Sequence, residues 1–279
     1  MEDYCQNCSR LIALSDRICS FCGTDANAPN VRYALRDNEQ NELNKKFIES
    51  ETNSNKSGNK EEFYELISKS KESKMVINRS VRAIADWVGR EDKLYVNFYK
   101  LKEMGLRKPY DQYDQQRISA ENTISPVFAE KIVVGALTIN EIGMTYYGGY
   151  SVTIKDKDIC NRASVFWENP FIFNAKHRVV SGHPCPEGYR ASWNNRDKLV
   201  GAKLGACVTN GMSDDDFANL LMGPDRTSES CDFIEVHVYD WLHASSIDKI
   251  TPPATIPAED RLEWDHVSSK LRASPTSGA

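Results

Sequence analysis

The sequence predicts an α+β fold, and three observations carry that reading. Two C-x-x-C pairs, Cys5/Cys8 and Cys19/Cys22, fall within the first 22 residues. Apolar residues recur at helical spacing from about residue 61 up to Pro109. From residue 130 the pattern changes to short β-rich runs separated by Gly, Asn and Asp turns.

Composition bounds the rest. A chain of 279 residues, 40% hydrophobic and 27% charged, suits two domains and can bury a real core. Its net charge of −5 supplies no global basic field for nucleic acid. No apolar run approaches the ~20 residues that cross a bilayer. The N-terminus, MEDYCQNCSR, has neither the positive n-region nor the apolar h-region of a signal peptide. These features point away from a membrane and toward the cytoplasm, where clustered cysteines more often bind metal than form disulfides.

Taken in order, residues 1–24 read as a metal-folded ribbon. Each C-x-x-C turns both thiolates toward one ion, and Gly23 follows the second pair, where a knuckle often needs positive φ. Leu11, Ile12, Leu14 and Ile18 offer a minimal apolar cover. So short a segment has too little core to fold alone, so the metal supplies the folding energy. Four thiolates make a closed, structural zinc site. The segment resembles the short bacterial zinc-ribbon family, which has two C-x-x-C knuckles, the second followed by Gly. The resemblance implies a zinc ion and a docking or scaffolding role, toward a protein or a nucleic-acid target, and no activity. Arg10, Arg17, Arg32 and Arg36 are sparse for phosphate binding.

Residues 25–60, rich in Asn, Glu, Lys and Ser, read as a flexible linker with a short helix near Leu43 to Ile48. Residues 61–125 read as helical, with stripes at Phe63/Leu66/Ile67, Ile77/Val81/Ile84/Val88 and Leu94/Phe98/Leu101, then a polar connector. Residues 126–250 form the α+β domain with a mainly antiparallel sheet. Its strands are expected in KIVVGALTI, YSVTIK, ASVFW and DFIEVHVYDWL, and its helices in NNRDKLVGAKLGACV and SDDDFANLLMG, where Asp214 to Asp216 suit a first turn. Residues 251–279 are a tail with a helix around Asp260 to Leu271 and a frayed end.

The strand with the most chemical content is 233–239. Alternation puts Ile234, Val236 and Val238 on one face and Phe233, Glu235, His237 and Tyr239 on the other. A carboxylate and an imidazole between aromatics suit a cleft wall, or equally a half-buried strand whose Glu and His pair with a neighbour. Upstream, Gly148 and Gly149 permit close backbone approach, to a ligand or within a turn. Arg162 and Ser164 share a strand face, where Arg162 either holds a phosphate bidentately or makes an ordinary ion pair. His177, His183 and Cys185 lack the spacing of a second metal site. No GxGxxG, Walker loop, HExxH or GxSxG is present, nor the H-x-E…P-C-x-x-C pattern of deaminases.

The stretch from YGGYSVTIKDKDICNRASVFWENPF to DFIEVHVYDWLHASSIDKI resembles segments of bacterial ADP-ribosyltransferase-type toxin domains. In that superfamily the last core strand carries a catalytic Glu on a polar face, and earlier strands supply an Arg or His and a Ser/Thr or Tyr. The resemblance implies Glu235 with His237 on the catalytic strand, and Arg162 with Ser164, or Tyr147, at the earlier positions. It implies NAD as substrate, with Arg162 on the pyrophosphate and Tyr147 or Trp167 stacked on nicotinamide. The chain departs from the pattern where His237 stands in place of a frequent Glu or Gln, so the Arg-Ser-Glu and His-Tyr-Glu assignments both stay open. Against this enzyme stands a second reading, a non-catalytic zinc-ribbon protein that docks a protein or nucleic acid.

Overall fold

A computed structural model describes residues 3–13, 16–106, 112–180, 183–223, 225–227 and 231–273. Leu14, Pro109 and the last six residues of the expected frayed end lie outside these. The chain opens on a two-stranded antiparallel ribbon, β1 (Asp3–Tyr4) and β2 (Leu11–Ile12). Three helices follow: α1 (Pro29–Ala34), α2 (Asp37–Lys56) and α3 (Lys60–Lys71). Pro29 starts α1, where its fixed φ and missing N–H cost nothing.

Composition suggests only a short helix near 43–48, but α2 runs for 20 residues. It packs along a later helix through Leu43, which is fully buried, and through the small Ser50 and Ser54. The segment has few apolar residues because one narrow stripe suffices for the contact. Its Glu39 carboxylate also reaches the main domain, accepting the backbone N–H groups of Gly188, Tyr189 and Arg190 at 2.8–3.0 Å.

Beyond α3 the chain forms β3 (Lys74–Arg79), α4 (Val81–Gly89), α5 (Phe98–Glu103), α6 (Gln112–Ile124), β4 (Ile132–Thr138) and β5 (Tyr150–Ile154). It continues through α7 (Asp156–Ile159), β6 (Ala163–Phe166), α8 (Pro170–His177), β7 (Arg190–Ser192), α9 (Arg196–Leu204) and α10 (Asp214–Met222). The last elements are β8 (Glu235–Tyr239), β9 (Ile247–Thr251) and α11 (Arg261–Ala273). Ser213 and Asp216 close a capping box at the start of α10, with Asp214 to Asp216 in its first turn.

Seven strands make one sheet in the order β7-β6-β8-β4-β3-β5-β9, with every neighbouring pair antiparallel. The fold is therefore α+β. One correction concerns β3, which lies within the stretch expected to be helical. Ile77 was expected to share a helical stripe with Val81 and Ile84, yet it lies in a strand while Val81 opens a helix capped by Ser80. The run Met-Val-Ile is short enough to satisfy either period, and pairing with β4 and β5 on both sides decides for the strand.

The two faces of the sheet differ. One is aliphatic: Ile77 of β3, Val133 and Leu137 of β4, Val165 of β6, and Val236 and Val238 of β8 join one core with α4, α9, α10 and α11. The other carries buried polar groups, among them Asn78, Thr153, Ser164, Arg190, Glu235 and His237. Over part of this second face α1, α6 and α8 bring Val31, Tyr33, Ile124 and Phe173 against the strands. No helix among the described residues is long and apolar enough to cross a membrane.

Because Leu43 is fully buried in the main core, Leu43→Ala should lower unfolding free energy by ~2–5 kcal/mol. Urea denaturation checks this, and an unchanged midpoint would mean that α2 is a tether.

Candidate functional site

The chain offers two sites, one built by cysteines and one by the polar face of the sheet. In the ribbon, the Sγ atoms of Cys5, Cys8, Cys19 and Cys22 all lie within 4.8 Å of one another. Cys5 and Cys22 approach to 3.6 Å, and Cys8 and Cys19 to 3.7 Å. Zinc–sulfur bonds of about 2.3 Å at tetrahedral angles put sulfurs about 3.8 Å apart, so the four thiols fit one such ion. The turns set this geometry: Ser9 N–H bonds to Cys5 O, and Gly23 N–H bonds to Cys19 O, with Gly23 at φ 71°. Left to themselves, the thiols ionise unequally. Hydrogen bonds from Thr24, and then from Asn7, push Cys22 down to about 5. The Arg10 amide favours the Cys8 thiolate, but desolvation and the neighbouring cysteines outweigh it and push that thiol up to about 12. A cation between them lets all four ionise together.

The ribbon is pinned to the body through α1. Arg32, 1% exposed, bonds through Nε to Asp3 of β1 at 2.5 Å and through Nη1 to the carbonyls of Asp16 and Asn27. Two residues earlier, the Asn30 amide donates to the carbonyls of Arg162 and His237 and to Ser164 Oγ. One short helix thus holds the metal ribbon and strands β6 and β8 together.

The second site is a cleft of about 890 Å³ on the polar face. Val76, Val134 and Ala136 floor it beside Glu235, and α5 and α6 form a wall with Tyr99, Arg117 and Glu121. Glu235 and His237 are 4% and 6% exposed. His237 Nε2 stands 2.8 Å from Glu235 Oε2, at hydrogen-bond distance. Phe166 stacks on the imidazole with ring centroids 5.7 Å apart and planes at 19°, fixing its plane. On the wall, Arg117 Nε and Tyr99 Oη each donate to Glu121 at 2.7 Å. Burial works against the Arg117 charge, but Glu121 and, more distantly, Glu235 outweigh it and raise its pKa. Burial and Glu121 likewise push the Tyr99 hydroxyl far up, so it stays a donor. A small pocket of about 10 Å³, the size of about one water, is lined by Glu121, Glu235 and His237 among mainly apolar side chains.

The residues singled out from sequence separate here. Glu235 lines the cleft with His237 against it, and Tyr147 lines the far end. Ser164 lies opposite His237 in the sheet register, its hydroxyl bound by Asn30. Arg162 turns its Nη1 to the carbonyls of Tyr239 and Trp241, and Trp167 packs against the aliphatic core and Tyr189, so neither lines the cleft. The sequence reading did not select Arg79, Tyr95, Asn97, Arg117 or Glu121, all of which line it. They sit on β3, α6 and the segment leading into α5, where no motif spacing marks them. Asn78-Arg79 at a strand end facing a glycine pair was the available signal.

No protein-family model matches the chain, and no curated protein matches it in sequence. Metal analysis of purified protein should find about one zinc per chain, and Cys19→Ser should remove it. Equal zinc content in the variant would contradict a four-thiolate site.

Proposed function

We propose that the chain is a zinc-ribbon protein whose α+β body is an NAD-dependent transferase or glycohydrolase acting at Glu235. The observation that carries the reading is the buried Glu235–His237 pair opening onto a cleft of about 890 Å³, within the range that engulfs a ligand of dinucleotide size. The cleft also presents Tyr95, Tyr99, Tyr147 and Phe171, flat surfaces for a nicotinamide or adenine ring.

In this reading the bond between the ribose C1′ and the nicotinamide nitrogen breaks. Its electron pair leaves with the nicotinamide, and C1′ becomes oxocarbenium-like. Glu235 accepts the ribose 2′-OH and stabilises the developing positive charge, an interaction strongest in the transition state. His237, held by Phe166 and Asn30's grip on its backbone carbonyl, orients that carboxylate. Water or a target nucleophile then forms the new bond to C1′ and gives up its proton to bulk water. Tyr147 takes the stacking role, while Ser164, Arg162 and Trp167 hold β6 and β8 in place.

The ribbon is the docking module. Tyr4, Leu11, Ile18 and Phe21 are each half or more exposed, an unusual share of large apolar side chains for so small a unit. That observation favours a protein target over a nucleic acid, and it would serve equally in a non-catalytic interaction protein.

Glu235→Gln keeps the size and removes the charge. It should lower NAD turnover ~10²–10³-fold while the thermal midpoint stays within a few degrees. Turnover undiminished in a folded Glu235→Gln protein would sink the catalytic reading.

A further inference from the structure

The cleft contains two guanidinium groups with capacity to spare. Arg79, at the end of β3, is half-buried and lines the cleft near Tyr147. Its Nη1 donates to the Asn78 carbonyl at 2.8 Å, and its Nη2 donates to the Tyr95 hydroxyl. That takes two of the five N–H donors of a guanidinium. Among the described residues, no carboxylate lies within ion-pair distance of Arg79, whereas Arg117 has Glu121 on its Nε. The Nη groups of Arg117 have no hydrogen-bond partner there, and its planar face lies over Phe98, 4.8 Å from the ring centroid.

The backbone makes this placement possible. Gly148 sits at φ 146°, and a Cβ there would come within 2.1 Å of the Arg79 backbone carbon. Only glycine allows that segment to press on the end of β3 and bring Tyr147 beside Arg79. Asn78 fixes the same junction by donating to the Gly148 carbonyl and Ser151 Oγ, both at 3.1 Å. Burial, and then the like charge of Arg117, hold Arg79 down to about 10, with Tyr147 acting in the opposite direction. A cation held away from water, repelled by a second cation and without an ion-pair partner among the described residues is costly unless a ligand brings the charge.

We infer that the Arg79 end of the cleft, with Arg117 opposite, is a binding subsite for a phosphate or pyrophosphate group of the ligand. The donors left on Arg79 and the Nη groups of Arg117 are planar forks, the geometry that meets phosphate oxygens in pairs. Three carboxylates among the described residues also line the cleft: Glu121 faces Arg117 and Tyr99, Glu235 faces His237, and Asp114 is buried on α6. One cleft thus carries both arginines and the Glu235–His237 pair, which suits a phosphorylated sugar or nucleotide. This inference rests on the cleft being the ligand site, and not on NAD being the ligand.

The test is calorimetric titration of inorganic pyrophosphate into the full-length zinc-loaded protein at low ionic strength. Pyrophosphate should bind at one site per chain, and Arg79→Met and Arg117→Met should each weaken it ~10- to 100-fold. Arg79→Lys, which keeps a charge but not the fork, should fall between. Arg82→Met, on an exposed arginine outside the cleft, should bind as tightly as wild type. Thermal melting shows that each variant is folded. Wild type giving no binding would overturn the subsite, as would Arg79→Met and Arg79→Lys both binding like wild type. Pyrophosphate bound by a protein that never cleaves NAD would remove the transferase reading and leave the subsite. NAD cleavage without pyrophosphate binding would do the reverse.

Discussion

A seven-stranded sheet with one aliphatic face and one polar but buried face sets the terms for the rest of this molecule. The aliphatic face needs only apolar cover, and α4, α9, α10 and α11 supply it. The other face is harder to cover, because each polar group taken from water there must find a partner. The partners come from elements that look dispensable in sequence. Asn30 of α1 serves Ser164 and two strand carbonyls, and Glu39 of α2 serves three consecutive amides ahead of and within β7. Glu235 and His237 satisfy each other. Where helical cover stops, the cleft begins.

This arrangement explains why the segment between ribbon and sheet is helical despite its polar composition. It acts less through hydrophobic area than through a few directed bonds and one buried ion pair. Arg32 and Asp3 join α1 to the ribbon, with Arg36 on the other Asp3 oxygen at 3.8 Å, and breaking a buried pair of this kind costs roughly 3–5 kcal/mol. Folding of the ribbon around its metal thereby supports the helix whose next side chains hold the catalytic strand proposed here. The ribbon is a clamp on the body.

Sequence disclosed the parts in which one local rule was strong enough to act alone. Cysteine spacing marked the four thiols that the fold gathers within 4.8 Å of one another, and period-two alternation in 233–239 sorted Ile234, Val236 and Val238 from Glu235 and His237 correctly. It failed where tertiary contact decided between two local options. Met75 to Ile77 fit a helix stripe until two strands flank them, and α2 looks like a linker until Leu43 meets the core. The cleft's arginines were illegible for a further reason: Arg79 and Arg117 lie 38 positions apart, and nothing in either neighbourhood announces that they meet. Arg162, the arginine that the strand pattern did offer, is held by the carbonyls of Tyr239 and Trp241.

The proposal as a whole is that the polar face of the sheet holds the ligand, with Glu235 as the reacting carboxylate and Arg79 and Arg117 as the anion-binding groups. Crystals of the zinc-loaded protein soaked with ADP-ribose test it most directly. The account predicts density in the cleft, with the phosphates against Arg79 and Arg117 and the ribose 2′-OH within hydrogen-bond reach of Glu235. ADP-ribose bound elsewhere, or bound in the cleft with its phosphates away from both arginines, would contradict it.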